Sequence, residues 1–231
     1  MKRILITGAN RGFGLALAQL AYQQGHSLYL VVRSDSACDI LRQQFPEARV
    51  VICDITDDGY PQRLEAWLGE EVLDVVINNA GSGTKAPTLA DTESAYLRKE
   101  FETNCIGPFA TVKGALKAMT RATRPLLINI SSRRGSLTLQ SQLAAKGSGC
   151  SYSYRISKAA QNMLTLCLAD DLEELGIRCV ALHPGRMVTS MAASDAHMTP
   201  QQSAAHLLEL IEHDQLQHRD FVSLEQGSLP W

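Results

Sequence analysis

The sequence predicts a three-layer α/β/α sandwich, doubly wound around a mostly parallel sheet of seven strands. Short apolar runs alternate with longer segments of helical period, and this βαβ alternation with right-handed crossovers builds a parallel sheet covered on both faces. The first six runs are nearly continuous in apolar residues, which is typical of strands buried on both sides. A glycine-rich turn joins the first run to the first helical segment. The length of 231 residues suits one domain, residues 1–231.

Each strand is predicted from its run of apolar and β-branched residues between breaks in the pattern. In chain order these runs are Arg3–Thr7, Ser27–Val32, Arg49–Cys53, Val72–Asn78, Pro125–Ser131, Ile177–Leu182 and Asp220–Leu224. The first six carry the pattern of a parallel sheet, and the last run is shorter and more polar.

The helices are predicted from apolar spacing and from end signals. In chain order they cover about Gly12–Gln24, Ser36–Phe45, Pro61–Leu68, Thr92–Arg121, Tyr152–Leu175 and Pro200–Glu212. Gly25 and Gly176 stand where a glycine ends a helix, since glycine adopts the left-handed conformation there without steric cost. Thr199 and Pro200 read as an N-cap followed by proline at the first helical position.

Composition and spacing exclude several classes of protein. The formal net charge of −2 gives no global attraction to nucleic acid or to an anionic membrane. The apolar run at the N-terminus is too short for a signal peptide, and no segment is long and apolar enough to span a bilayer. The six cysteines are scattered singly, which fits reduced thiols in a cytoplasmic protein. The histidines lack the spacing of metal ligands, so we expect no metal site.

The glycine-rich turn has the sequence Thr-Gly-Ala-Asn-Arg-Gly-Phe-Gly over residues 7–14. Between a strand and a helix, such a turn exposes backbone N–H groups at the positive end of the helix, where a pyrophosphate can bind. Gly8 allows the tight turn, Gly12 allows close approach of phosphates, and Gly14 allows the helix to pack closely on the strand. A purely structural tight turn is the alternative.

The spacing of this turn and six later features together resemble the classical short-chain dehydrogenase/reductase family. The features follow in the family's order: Thr7-Gly8-x3-Gly12-x-Gly14, Asp54, Asn78-Asn79-Ala80-Gly81, Asn104, Ser132, Tyr154-x3-Lys158 and Pro184-Gly185. A narrower resemblance, to C-factor/sniffer-type carbonyl reductases, rests on residues 152–160, the His183-Pro184-Gly185 turn and the C-terminal Leu229-Pro230-Trp231. The resemblance implies a Rossmann-type domain that transfers hydride between a nicotinamide cofactor and a substrate.

NADP(H) is the cofactor that the resemblance implies. Val32 stands where the NAD-preferring pattern has an acid, and Arg33 and Arg11 occupy positions that favour NADP(H). Two guanidinium groups can bind a 2′-phosphate through charge-assisted bonds. A solvated loop charge is the alternative for Arg33, and Asp35 could reach the ribose if the strand ends later.

The resemblance also implies which residues line the cofactor. They are Gly8, Asn10, Arg11, Gly12, Phe13, Gly14, Arg33, Asp54, Ile55, Asn79, Ala80, Gly81, Tyr154, Lys158, Pro184, Gly185, Val188 and Thr189. Asp54 is expected to bind the adenine amine, with Ile55 along the ring. The alternative for Asp54 is that it caps the following helix together with Thr56.

Tyr154 and Lys158 lie one helical turn apart, so their side chains share a face. A nearby ammonium favours the phenolate, so we expect Lys158 to lower the Tyr154 pKa. Tyr152 is a weaker candidate because Ile156 stands four residues beyond it.

By resemblance, Ser132 holds the substrate oxygen, and Ser131 is the less favoured serine. Asn104, inside a predicted helix, holds a water in the proton relay by resemblance. Asparagine there competes with the hydrogen bonds of the helix and can loosen it. A buried structural asparagine is the alternative.

These observations predict an NADPH-dependent oxidoreductase that acts on a small carbonyl or alcohol substrate. The segment 186–199 is expected to act as a lid over the substrate, and the long helices are expected to pair subunits into a homodimer or homotetramer. The alternative function is an NADPH-binding signalling or redox-sensing protein of C-factor type. A sugar epimerase or dehydratase is disfavoured because few residues follow the sixth strand to build a substrate domain.

Overall fold

An eight-stranded sheet runs through the residues that the structure, a computed structural model, describes, namely 1–187 and 197–231. Its strand order is β3-β2-β1-β4-β5-β6-β7-β8, with every pair parallel except β7 and β8. The strands are β1 Arg3–Thr7, β2 Ser27–Val32, β3 Arg49–Ile52, β4 Val75–Asn78, β5 Leu126–Ile130, β6 Arg178–His183, β7 Phe221–Ser223 and β8 Gly227–Ser228.

The predicted fold class is confirmed, and the predicted strand count is wrong by one. All seven predicted strands form, with bounds that shift by up to three residues. The eighth, Gly227–Ser228, pairs antiparallel with β7 and is exposed. Two exposed residues that begin with glycine carry no apolar pattern, so no local signal predicts this strand.

Helices pack on both faces of the sheet. They are α1 Gly12–Gln23, α2 Asp35–Gln44, α3 Tyr60–Leu68, α4 Ser94–Phe101, α5 Gly107–Thr120, α6 Leu137–Ser141, α7 Tyr152–Leu172 and α8 Pro200–Glu212. Thr199 caps α8 in a full capping box with Gln202, as the N-cap prediction requires. The five-residue helix α6 was not predicted.

The predicted helix Thr92–Arg121 is wrong as a single α-helix. The chain forms α4, then a π-helix at Glu102–Ile106, then α5. Apolar spacing does not separate these elements because the helical direction continues through the π-helix. Short π-helices are rare and occur frequently at functional sites.

The continuous apolar character of the strands follows from this layering. In β1, Ile4 and Ile6 pack in the core on the side of α1, α2 and α8, whereas Leu5 packs in the core on the side of α3, α5 and α7. Successive strand residues point to opposite faces, so a strand covered on both sides needs apolar residues at every position.

The strand order reverses direction between β1 and β4. β1 pairs with β2 on one side and with β4 on the other, in a register that sets Ile6 beside Ile77. The connections that leave β1 and β4 diverge at this point and leave a crevice outside the carboxyl ends of the two strands. In open α/β sheets this is where ligands bind.

Close packing of α5 on α3 depends on Gly114. A Cβ at this position would lie 2.6 Å from the carbonyl oxygen of Pro61 and 2.9 Å from Cβ of Leu64. Because the first neighbour is backbone, the two helices would have to move apart to accept a side chain.

We expect Gly114→Ala to lower the free energy of unfolding by about 1–3 kcal/mol, because overpacking outweighs the better helix propensity of alanine. Urea denaturation measures the change. Lys113→Ala, at the preceding exposed residue, is the control and should change stability by less than about 0.5 kcal/mol. A Gly114→Ala protein as stable as the wild type would contradict the packing argument.

Candidate active site

The glycine-rich turn leads from β1 into α1 at the crevice. Gly8 has φ +67°, and its N–H donates to the Val31 carbonyl at 2.9 Å. A Cβ on Gly8 would lie 2.9 Å from Cα of Ala80, so only glycine fits there. The α1 N-cap, Arg11, makes no side-chain capping bond. Backbone N–H groups of the first turn are therefore available for an anionic ligand.

Thr7 and Asn79 tie this turn to β4. The Thr7 hydroxyl accepts hydrogen bonds from the backbone N–H groups of Asn79 and Ala80, both at 3.0 Å. The Asn79 amide donates to the carbonyl oxygens of Thr7 at 2.8 Å and of Gly8 at 3.1 Å. The side-chain nitrogen of Asn79 thus supports the turn, and its expected place along the ribose stays a prediction. The glycine motif includes Thr7 but does not predict its two hydrogen bonds to the chain after β4.

Arg11 is the N-cap of α1, and Arg33 directly follows the end of β2. Both are exposed, and neither guanidinium makes an ion pair within the described residues. β2 ends at Val32, as predicted, and Asp35 begins α2 behind the Ser34 N-cap. The carboxylate of Asp35 is thereby placed in the first turn of a helix, where it interacts favourably with the helix dipole.

Asp54 follows β3 and forms a turn with Thr56. Its Oδ1 accepts hydrogen bonds from the Thr56 backbone N–H at 3.0 Å and hydroxyl at 2.8 Å. The Thr56 backbone bond, with a smaller effect of the Arg33 charge, lowers the Asp54 pKa. The alternative that Asp54 caps the next helix is wrong, because α3 starts at Tyr60.

Ile55, expected beside the adenine ring, is buried and lies against Gly107. A Cβ on Gly107 would sit 2.6 Å from Cδ1 of Ile55. The contact packs the residue after Asp54 against the start of α5.

A chain of buried polar side chains links the two central strands to α7. Asn78 donates to Asn129 at 2.8 Å, and Asn129 donates to Thr165 at 2.9 Å. Because buried amides must be hydrogen-bonded, this chain fixes the position of α7 against β4 and β5. No motif in the sequence predicts the roles of Asn129 and Thr165, which stand inside an apolar run and a helix.

The Ser132 side chain lies beside Tyr154, where it favours the ionised phenol and so acts to lower the Tyr154 pKa. Ser132 caps the 3₁₀-helix Arg133–Gly135, and its Oγ accepts a bond from the Arg134 N–H at 3.2 Å. Ser131, the alternative serine, donates instead to Asn162.

Tyr152, the alternative tyrosine, points elsewhere. The Arg155 guanidinium lies 4.9 Å from its ring centroid. Tyr152 lines a surface hollow together with Leu137 and Ile156.

Lys158 is nearly fully buried, at 4% exposure. Its Nζ donates to the Ile130 carbonyl at 2.7 Å and to Oε1 of Gln161 at 2.8 Å, and lies 5.8 Å from the Tyr154 ring centroid. Burial lowers the Lys158 pKa to about 7, although the charge of Glu100 acts in the opposite direction. Gln161 was missed because a glutamine inside a helix has no distinctive pattern.

The expected lowering of the Tyr154 pKa is wrong for this structure. Burial raises that pKa to about 12 and outweighs the hydrogen bond from Ser132. Removal from water penalises the charged phenolate. The Lys158 ammonium donates to Ile130 and Gln161 rather than to the phenol, so no hydrogen bond from Lys158 offsets this cost.

Asn104 is fully buried inside the π-helix. Its Oδ1 accepts from the Ser82 N–H, and its Nδ2 donates to the Ser82 carbonyl and to the Ser157 hydroxyl, all at 2.9 Å. Asn104 therefore holds the loop after Gly81 against α7. The helix is loosened at this residue, as expected, and the role in a water relay stays a prediction.

The chain leaves β6 through Pro184 and Gly185, the latter at φ +89°. Glu225 contacts the described residues Arg186 and His197 of the segment predicted as a lid. Its Oε1 accepts from Nε of Arg186 at 2.8 Å and lies 3.2 Å from Nε2 of His197. Glu225 carries no signal in the sequence, because only the fold brings it beside Arg186 and His197.

Val188, Thr189 and most of the predicted lid, 186–199, lie outside the described residues. His183, to which no catalytic role was assigned, is buried, and burial lowers its pKa to about 4. Within 1–187 and 197–231, no three potential ligands cluster as a metal site would require. In the same ranges, no helix has the length and apolar character needed to span a membrane.

Comparison with known proteins identifies the family. The model of the short chain dehydrogenase family matches residues 2–200. The C-signal protein of Myxococcus xanthus is 32% identical over 160 residues, covering 69% of this chain and 93% of that protein.

Two solved structures share the whole fold. Carbonyl reductase Sniffer of D. melanogaster has a TM-score of 0.86 at 29% identity and covers 100% of both chains. NADPH-bound carbonyl reductase from chicken fatty liver has a TM-score of 0.85 at 28% identity, covering 100% of this chain and 99% of that one. From the family match, the C-signal relative and these two folds, we conclude that the chain belongs to the short chain dehydrogenase family and is an oxidoreductase.

Proposed function

We propose that the protein, as one domain over 1–231, is an NADPH-dependent carbonyl reductase with Tyr154 as its proton donor. The observation that carries the proposal is the meeting of Ser132, Tyr154 and Lys158 where β5 ends. The Ser132 side chain lies beside Tyr154, and the Lys158 ammonium lies 5.8 Å from the Tyr154 ring centroid. One hydroxyl, one phenol and one amine converge beside the crevice of the sheet, which suits proton transfer to a carbonyl oxygen.

The residues of the crevice fit a dinucleotide phosphate. The turn at Gly8 has no room for a side chain, and the uncapped start of α1 offers backbone donors to a pyrophosphate. The exposed guanidinium groups of Arg11 and Arg33 supply positive charge for a 2′-phosphate. When bound, NADPH supplies the hydride. The predicted nicotinamide contacts of Val188 and Thr189 remain part of the proposal.

The protein's own groups handle the proton. A Tyr154 pKa of about 12 keeps the phenol protonated at neutral pH, which is the form that donates a proton during carbonyl reduction. The Ser132 hydroxyl positions the substrate oxygen beside that phenol. Lys158, with a pKa near 7, carries a positive charge in part of the molecules at neutral pH, and this charge favours release of the phenolic proton.

The relatives support this activity and one alternative. The similar structure from chicken is an NADPH-bound carbonyl reductase, and the similar structure from the fly is a carbonyl reductase. The resemblance to C-signal favours an NADPH-binding signalling or redox-sensing protein as the second candidate. NADPH oxidation measured against a panel of aldehydes, ketones and quinones separates the two. A homodimer or homotetramer and a cytoplasmic location remain predictions.

We expect Tyr154→Phe to lower kcat for carbonyl reduction by about 10²–10⁴-fold, because the proton donor is lost. NADPH binding should stay nearly unchanged, measured by fluorescence titration. Tyr152→Phe is the matched control and should keep wild-type turnover, since Tyr152 faces Arg155. Substantial reductase activity in Tyr154→Phe would disprove the assignment.

We expect Arg33→Asp to reduce the preference for NADPH over NADH by about tenfold to a hundredfold. A charge-assisted hydrogen bond contributes about 1.5–3 kcal/mol, which corresponds to that ratio. The measurement is kcat/KM with each cofactor. Asp35→Asn tests the acidic residue that follows the strand end and should leave the preference for NADPH over NADH unchanged. An unaltered NADPH preference in Arg33→Asp would remove Arg33 from the cofactor site.

A further inference from the structure

Glu100 is a fully buried carboxylate near the proposed catalytic residues. It lies in α4 and has 0% exposure. Its Oε1 accepts hydrogen bonds from the Thr84 N–H at 2.7 Å and from the Ser153 hydroxyl at 3.0 Å. Its Oε2 is buried and has no hydrogen-bond partner within the described residues. Both partners of the carboxylate are neutral, so nothing in direct contact balances its charge.

Lys158 is a buried group of opposite charge, and it too has only neutral hydrogen-bond partners. Both acceptors of its ammonium, the Ile130 carbonyl and the Gln161 amide, are neutral. Within the described residues, no carboxylate lies within ion-pair distance of it. Charges removed from water interact over several ångströms much more strongly than they do at the surface. A Cβ on Gly81 would lie 3.3 Å from Oδ1 of Asn104 and 3.9 Å from Nζ of Lys158, so the ammonium lies beside the residue one turn after Glu100. Glu100 and Lys158 can therefore compensate each other without touching.

The contacts of Glu100 end on the elements that hold the site. Ser153 precedes Tyr154 in the first turn of α7, where the positive end of the helix dipole favours an anion. Thr84 belongs to the same loop as Ser82, which Asn104 binds. Glu100 lies one turn before Asn104 on the same helical run. Glu100 and Asn104 thus both hold the same loop against α7.

Hydrogen bonding alone does not account for a glutamate at this position. The amide oxygen of a glutamine could accept the same two bonds without the large cost of removing a carboxylate from water. The partnerless Oε2 adds to that cost. A role for the negative charge itself explains why a carboxylate stands there.

We propose that Glu100 is a positioning residue for the proposed active site, and that its buried negative charge keeps the Lys158 ammonium protonated beside Tyr154. The proposal rests on the proposed function for its catalytic consequence. The link between Glu100 and Lys158 is a property of the folded chain and can be measured without turnover.

Several titratable groups surround this pair. The charge of Glu100 raises the pKa values of Tyr154 and Lys158 on α7 and of Cys150 in the preceding loop. Arg134 acts on Tyr154 in the opposite direction. Cys105 of the π-helix also acts on Lys158. A negative charge favours the ammonium and disfavours the phenolate, so removal of the Glu100 charge lowers both pKa values.

The test follows the Lys158 titration by NMR in protein labelled with ¹³C and ¹⁵N in lysine, with Lys158→Met to assign the signal. Glu100→Gln keeps the shape and the acceptor oxygen but removes the charge. We expect its Lys158 titration midpoint to fall by about half a pH unit or more. Glu100→Asp keeps the charge and should hold the midpoint close to the wild-type value. Glu102→Gln, the control, removes an exposed charge two residues away and should also leave it unchanged.

Kinetics provide the second readout. The alkaline limb of the pH profile of kcat/KM for carbonyl reduction should move to lower pH in Glu100→Gln and not in Glu102→Gln. An unchanged Lys158 midpoint in Glu100→Gln overturns the proposal. An equal shift in Glu100→Asp also overturns it, because lost contacts would then be the cause. If no variant or wild-type protein reduces a carbonyl, the proposed function fails while the NMR titration still decides the role of Glu100.

Folding of Glu100→Gln is itself informative. If this variant does not fold, the double variant Glu100→Gln/Lys158→Met removes both charges and decides the cause. Recovery of folding in the double variant supports the proposal, because the uncompensated ammonium then caused the loss. Continued unfolding assigns Glu100 a purely structural role and overturns the proposal.

Discussion

The junction between the carboxyl ends of β1 and β4 is the constraint on which the rest of the site depends. The strand order reverses there, and the hydroxyl of Thr7 accepts hydrogen bonds from two backbone N–H groups of the chain that leaves β4. Asn79 returns two bonds to the turn that leaves β1. These bonds hold the glycine-rich turn against Ala80 so closely that no side chain fits on Gly8. The crevice is thus shaped by backbone, which suits a ligand that binds through its phosphates.

A second constraint is the set of polar and charged groups that the fold places out of water. Asn78, Asn129 and Thr165 form a fully buried chain between the sheet and α7, and this chain positions the helix that carries Tyr154 and Lys158. Burial then sets the chemistry of that helix, because it moves the Tyr154 pKa up and the Lys158 pKa down. At neutral pH the Tyr154 phenol keeps its proton, whereas the Lys158 ammonium loses its own proton readily. This arrangement suits a proton donor that lies beside a group whose charge can change.

The π-helix and the buried carboxylate belong to the same part of the fold. Asn104 lies inside the π-helix and its amide is hydrogen-bonded to Ser82 and Ser157. Glu100 lies one turn earlier and its carboxylate accepts hydrogen bonds from Thr84 and Ser153. Together they join α4, the loop after β4 and the start of α7 into one unit. The placement of the tyrosine and lysine thus depends on residues from three separate segments of the chain that are hydrogen-bonded to one another.

The sequence alone determined the fold class, the parallel sheet and the family, because strand periodicity and the Gly8–Gly14 and Tyr154–Lys158 spacings are local patterns. Local signals also placed β1, β2 and the cap of α8 correctly. Features that depend on distant residues were decided only by the tertiary structure. The bonds of Asn104 to Ser82 and Ser157 form only in the folded chain, and the exposed pair Gly227–Ser228 becomes a strand only beside β7. The Tyr154 pKa rises because the surrounding elements partly remove this side chain from water. Glu100 and Lys158 are far apart in sequence and share a buried region only in the folded chain, where low polarity lets their charges interact.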